Sequence, residues 1–208
     1  RLHFAEEREV LPLQRPTGRG LVGLAAMFFC IGGTGGLWGY LELWLLSKGV
    51  AQPAALQMLS MALLGQIIGS ALGAVIADGR WAWLRLFLII LALACIIGAW
   101  VRFPSSVHFA LAFGIVFMLG APAFSTLLHQ LDAERRAIPY AATAQLGGIA
   151  VIPTIAGETL AAQSLTLVVL ACLFSIVFSG VLVATQIPYL LRAGVQTAGI
   201  RTKEVLHD

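Results

Sequence analysis

A chain of 208 residues, 59% of them hydrophobic and 11% charged, with a mean hydropathy of +0.91, does not fit a soluble globular domain, in which about a quarter of residues carry charge. The net charge of +3 and pI near 9.0 do not make a nucleic-acid binder, because the arginines lie scattered between apolar runs and form no basic, aromatic-interleaved surface. Long apolar runs alternating with short charged segments are the pattern of an all-α, multi-span membrane protein whose first partner is the lipid bilayer.

Residues 1–19 are polar, with Pro12, Pro16 and Gly18 among arginines and glutamates, and are expected to form a solvated linker. The opening Arg1-Leu2-His3-Phe4 has no starting Met and no apolar signal core, which fits the interior of a longer protein. Six apolar runs follow, at 20–47, 54–77, 82–101, 107–128, 137–161 and 165–191, each long enough to cross roughly 30 Å of hydrocarbon as a helix. Residues 192–208 make a polar tail.

The first run holds Gly32, Gly33, Gly35, Gly36 and Gly39, then Glu42, and Lys48 to Pro53 turn the chain back. In the second, Gly65, Gly69 and Gly73 recur once per helical turn, a spacing that lets a neighbouring backbone approach closely. That run stops at Asp78-Gly79-Arg80, whose charges belong at the membrane surface because hydrocarbon cannot solvate them. Asp78 and Arg80 are therefore candidates for a cytoplasmic latch, paired in one conformation and released in another. An ordinary solvated turn is the plainer alternative. The fourth run carries Gly114, Gly120 and Pro122, and the most charged internal loop, His129 to Arg136, follows it.

Cys30, Cys95 and Cys172 fall inside apolar runs without Cys-x-x-Cys spacing or a nearby His pair, so no metal site, disulfide framework or cofactor is expected. The third and sixth runs are almost purely apolar and are expected at the lipid-facing periphery. The first, second and fifth carry glycine stripes, Gln66, Gln145, threonines and two carboxylates, and are expected to face protein or a cavity. Tyr140, Thr143, Gly147, Thr154 and Glu158 fall within about a third of a helical circumference. Glu42 and Glu158 are the only acidic residues inside the apolar runs, and an intramembrane carboxylate is a functional-site candidate by default. Glu42, Gln66, Tyr140, Thr143, Thr154 and Glu158 are thus the candidate substrate or proton pathway.

Four features together resemble the carboxy-terminal half of a major facilitator superfamily transporter. A polar, arginine-containing linker precedes six spans. Gly73-Ala74-Val75-Ile76-Ala77-Asp78-Gly79-Arg80 resembles a degenerate form of that family's Gly-x-x-x-Asp-Arg-x-Gly-Arg loop motif, without its second glycine-arginine pair. Asp132-Ala133-Glu134-Arg135-Arg136 is similar to the family's basic loop between helices ten and eleven. Ile152-Pro153-Thr154-Ile155-Ala156-Gly157 resembles its Gly-Pro-x-x-Gly pattern, with Ile152 in place of the first glycine. The resemblance implies alternating-access transport of a small solute, coupled to protons, with an amino-terminal six-helix half as partner. The inner membrane of a bacterium is the expected location. A non-transporting membrane scaffold or assembly protein is the alternative. An enzyme is disfavoured: no Gly-x-Ser-Gly nucleophile occurs, and His108 and His129 sit at run ends. The Asp132 to Arg136 loop is also too short for the coupling loop of an ABC permease.

Eleven of the thirteen Lys and Arg residues fall on the side shared by both termini, against Lys48 and Arg102 on the other, which makes the termini cytoplasmic. Cysteines introduced at Ser47 and Ser105 should therefore react with an impermeant thiol reagent added outside intact cells. One introduced at Ala133 should react only after the membrane is opened, and labelling of Ala133 from outside would invert or break this topology.

Overall fold

The computed structural model describes residues 15–76, 81–160 and 164–205, the side chains of Thr159 and 193–205 excepted. Those residues form six helices and one 3-10 turn, with no strand: α1 Gly18–Ser47, α2 Gln52–Ile76, α3 Ala82–Arg102, α4 Val107–Leu131, a 3-10 turn Ile138–Tyr140, α5 Ala141–Leu160 and α6 Leu165–Val205. All six helices are long and apolar enough to span a membrane. Helix is the form a spanning segment takes when hydrocarbon offers no partner for backbone N–H and C=O groups.

The ends are set by local chemistry. Thr17 caps α1, its Oγ1 accepting from the Gly20 N–H at 3.1 Å. At the other end Gly49 takes φ +79°, and the N–H groups of Gly49 and Val50 donate to the carbonyls of Leu46 and Leu45, a Schellman closure. Two boundaries differ from the apolar runs. Pro139 has no N–H to donate, so the fifth run starts as a 3-10 turn and becomes α-helical only at Ala141. The sixth helix does not stop at Arg192 but continues to Val205, with no proline after Pro188 to end its hydrogen bonding.

The packing has an internal order. α1 packs on α5 and α6, and α4 packs on α2 and α3; α1 also meets α4, and α3 meets α6. Exchanging α1, α2, α3 for α4, α5, α6 leaves these pairings unchanged, though the lesser α1–α2 and α5–α6 contacts have no counterpart of the same extent. Short connectors reverse the chain after each helix, so the two three-helix units run in opposite senses, the arrangement of an inverted repeat.

Glycines set the equivalent crossings between the two units. In α1–α5, a Cβ on Gly32 would lie 2.6 Å from the Gly148 carbonyl oxygen, and one on Gly148 would lie 2.3 Å from that of Phe28. In α2–α4, a Cβ on Gly65 would lie 2.3 Å from the Leu111 oxygen, one on Gly69 2.2 Å from that of Ile115, and one on Gly114 2.0 Å from that of Ala62. Gly73 has a looser fit, 3.1 Å from the Pro122 ring. Gly33 does for α6 what Gly32 does for α5, with the Cys172 oxygen 2.6 Å from its would-be Cβ. In lipid, close backbone approach and dispersion take over the role that hydrophobic exclusion has in water.

At the end of the bundle where α1 finishes, Trp44, Trp100, Phe113 and Phe117 fill the space between α1, α3 and α4, in ring contacts of 6.0–6.3 Å. The order of burial differs from that expected of the runs. α3 and α6 have more of their surface covered than α2, and α5 is the least covered of all. The apolar side chains of α3 and α6 face one another and the core as well as outward, whereas α2 and α5 leave wide faces open, largely apolar on α2 (Leu63, Ile67, Val75) and mixed on α5 (Thr143, Leu146, Thr154, Ile155, Glu158).

Replacing Gly69 with Ala directs a methyl group at a backbone oxygen that no rotamer change can move, and should destabilise the bundle by about 1–3 kcal/mol. Gly98 has nothing within 4 Å of its would-be Cβ, so Gly98→Ala should be neutral or stabilise by up to about 1 kcal/mol. Thermal unfolding in detergent reads the contrast, and equal effects at both sites would contradict the crossing.

Candidate functional site

The strongest concentration of polar and small residues along an open face lies between α1 and α5. α1 turns Gly35, Gly39, Glu42 and Leu43 away from its buried side, and Gly39 has open space around it. Across from it, α5 presents Ile149 against Gly35, at 3.1 Å from the would-be Cβ. Pro153 sits inside α5, so the Ile149 carbonyl lacks its usual helical donor.

Tyr40 spans the two helices. Its hydroxyl donates to the Pro153 carbonyl at 3.4 Å, and it occupies a notch that exists only because residue 157 is glycine. A Cβ at Gly157 would lie 1.8 Å from the Tyr40 hydroxyl oxygen. The phenol thus bridges α1 to α5, at the level of the helices where Glu42 and Glu158 also occur. Neither Tyr40 nor its notch was visible as a site in the sequence, because the two residues are far apart in the chain and neither belongs to a local motif.

The candidate pathway residues are not all brought together. Thr143, Thr154 and Glu158 lie exposed along α5, and Thr154 Oγ1 is turned back onto the Ala150 carbonyl at 2.7 Å. Tyr140 is separated from that stripe, since it belongs to the 3-10 turn and packs half-buried against the core. Glu42 is half-buried on α1. Gln66 is half-buried on α2 at the glycine crossing with α4, on a different partner from α5. Gln145 reaches Met27, with its Nε2 3.8 Å from the thioether sulfur.

Asp78 and Arg80 lie outside the described residues. An Arg85 Nη donates to the carbonyl of Ile76 at the end of α2, where a cation complements the helix dipole. The α4–α5 connector is held by Asp132, which is 1% exposed. Its carboxylate accepts from the Ala137 N–H at 2.5 Å and from Thr17 Oγ1 at 3.5 Å. Asp132 therefore ties the start of α1 to the turn that leads into α5. The sequence showed it only as one charge in a basic loop.

Among the described residues no group of His, Cys, Asp and Glu is arranged to hold a metal. No family model matches the chain, and no characterised protein or solved structure does either.

The Tyr40–Gly157 fit makes a coupled prediction. Gly157→Ala should lower the melting temperature in the parent chain and have a much smaller effect in a Tyr40→Ala background, a coupling of about 0.5–3 kcal/mol for residues in contact. Equal losses in both backgrounds would show that Tyr40 does not occupy the notch.

Proposed function

We propose that this chain is the carboxy-terminal six-helix half of a secondary transporter, moving a small solute by alternating access with proton coupling. The observation that carries the reading is the pair of oppositely oriented three-helix units, joined at equivalent glycine crossings. Inverted repeats of three helices recur within the halves of transporters, where one half rocks against the other around a site near the middle of the membrane. The open faces of α2 and α5 support a partner of similar size, an amino-terminal half closing the groove between α1 and α5. The Lys and Arg bias supports cytoplasmic termini, and the overall pattern a cell-membrane location.

In this scheme the close crossings lock the two three-helix units into one rigid six-helix half, while Tyr40 holds α5 against α1. Glu158 is the proton-exchanging group. It is the carboxylate on the open stripe with Thr143 and Thr154, and Pro153 one turn earlier frees a backbone carbonyl for water. The solute lies against the polar part of the groove, with Glu42 flanking it. A passive scaffold would also use the glycine crossings, but it would have no need of a carboxylate on the exposed stripe of α5.

The test is Glu158→Gln in the full-length transporter, reconstituted in proteoliposomes with an imposed pH gradient. Loss of pH-driven accumulation with solute counterflow retained supports coupling through Glu158. Accumulation equal to that of the parent removes Glu158 from the pathway.

A further inference from the structure

We propose that the cavity where α1, the α4–α5 connector and α6 meet holds the phosphate of an anionic phospholipid, with Arg19 as its recognition residue. This inference needs the membrane location of the helices but not the transport reading.

The cavity measures about 430 Å³ and is lined by Arg19, Asp132, Ala133, Glu134 and Tyr189, with Thr17 and Gly18 at its rim. Arg19 is exposed, and its guanidinium carbon stands 3.5 Å from the centre of the Tyr189 ring. Stacking fixes the plane of the guanidinium while leaving its N–H donors at the edge, the geometry in which arginine takes phosphate oxygens in pairs. The two acids of the cavity are both engaged elsewhere. Asp132 accepts from Ala137 and Thr17, and Glu134 pairs with Arg136. Arg19 has no carboxylate partner among the described residues. Arg192, exposed one turn beyond Tyr189, adds positive potential at the rim.

A lipid rather than a free ion follows from what lies beneath. About three turns deeper on the same two helices, Phe29 meets Phe178 edge to face at 4.8 Å, and Phe174 next to it is 70% exposed. The seam between α1 and α6 is thus polar and cationic at its mouth and aromatic below. That order matches a headgroup followed by acyl chains, with tyrosine at the level it favours at membrane interfaces. The end concerned also carries most of the Lys and Arg residues, and cytoplasmic leaflets are the ones rich in anionic lipid.

The experiment is native mass spectrometry of the full chain in detergent, titrated with phosphatidylglycerol, phosphatidylcholine or inorganic phosphate. Circular-dichroism melting confirms that each variant is folded. Arg19→Gln should weaken phosphatidylglycerol binding about tenfold, the loss expected when a charge-assisted contact is removed. Tyr189→Leu, which keeps the charge but removes its platform, should weaken it at least about threefold, and it carries the test should Arg19→Gln fail to fold. Arg102→Gln, a control at the opposite end where Arg102 lies over the Phe103 ring at 5.5 Å, should leave binding unchanged. Parent-like binding in both cavity variants would overturn the proposal. So would complete displacement of phosphatidylglycerol by millimolar inorganic phosphate, which would make the ligand a free phosphate ion.

Discussion

Backbone oxygens of one helix occupy the places where side chains of its neighbour would begin. At Gly65, Gly69 and Gly114 in the α2–α4 crossing, and at Gly32 and Gly148 in the α1–α5 crossing, a single methyl group would meet a carbonyl oxygen within 2.6 Å. Helices brought this close gain dispersion along their whole length, and lipid chains cannot separate them without losing that contact. Everything else in the bundle depends on it. The aromatic cluster around Trp44 and Trp100, the Tyr40 bridge and the tie from Asp132 to Thr17 all require helix axes held at that distance.

The same constraint sorts the open faces by chemistry. α1 is flanked by α5 and α6 because Gly32 and Gly33, adjacent in sequence, point about 100° apart on a helix and admit one neighbour each. Of these neighbours α6 turns Phe174 and Val181 outward, whereas α5 turns out Thr143, Thr154 and Glu158 beside Leu146 and Ile155. An exposed apolar helix is at rest in lipid, but an exposed carboxylate is not. The polar face of α5 therefore calls for water or protein across from it. The exposed face of α6 needs neither.

Much of the architecture was legible in the sequence, since backbone satisfaction in lipid leaves little choice but helix. The six apolar runs located all six helices, and the once-per-turn glycines at 65, 69 and 73 marked a helix that is crossed closely. What could not be read was which helix does the crossing, because Gly114 and Gly148 carry no signal that names Ala62 or Phe28 as the opposing backbone. Polarity located the open face on α5 but ranked burial wrongly, since an apolar helix such as α6 packs inward and faces lipid at once. The continuation of α6 to Val205 was hidden because hydropathy reports the membrane boundary, not the end of the hydrogen-bonded helix. Of the candidate pathway, Thr143, Thr154 and Glu158 share a face, as spacing alone requires. Tyr140 drops out because Pro139 breaks the register ahead of α5. Tyr40 was invisible because its role is set by the absence of a side chain at Gly157, more than a hundred residues away.

The central claim is that the exposed stripe of α5 borders water inside the membrane while that of α6 borders lipid. In a chain with Cys30, Cys95 and Cys172 replaced by alanine, single cysteines at Thr143 and Thr154 of α5 and at Phe174 and Val181 of α6 separate the two environments. Reaction with a small, water-soluble thiol reagent in sealed membranes should be fast at the two α5 positions and at least about tenfold slower at the two α6 positions, since the reactive thiolate does not form in hydrocarbon. Equal protection of all four would contradict the account and leave α5 a helix that simply faces lipid.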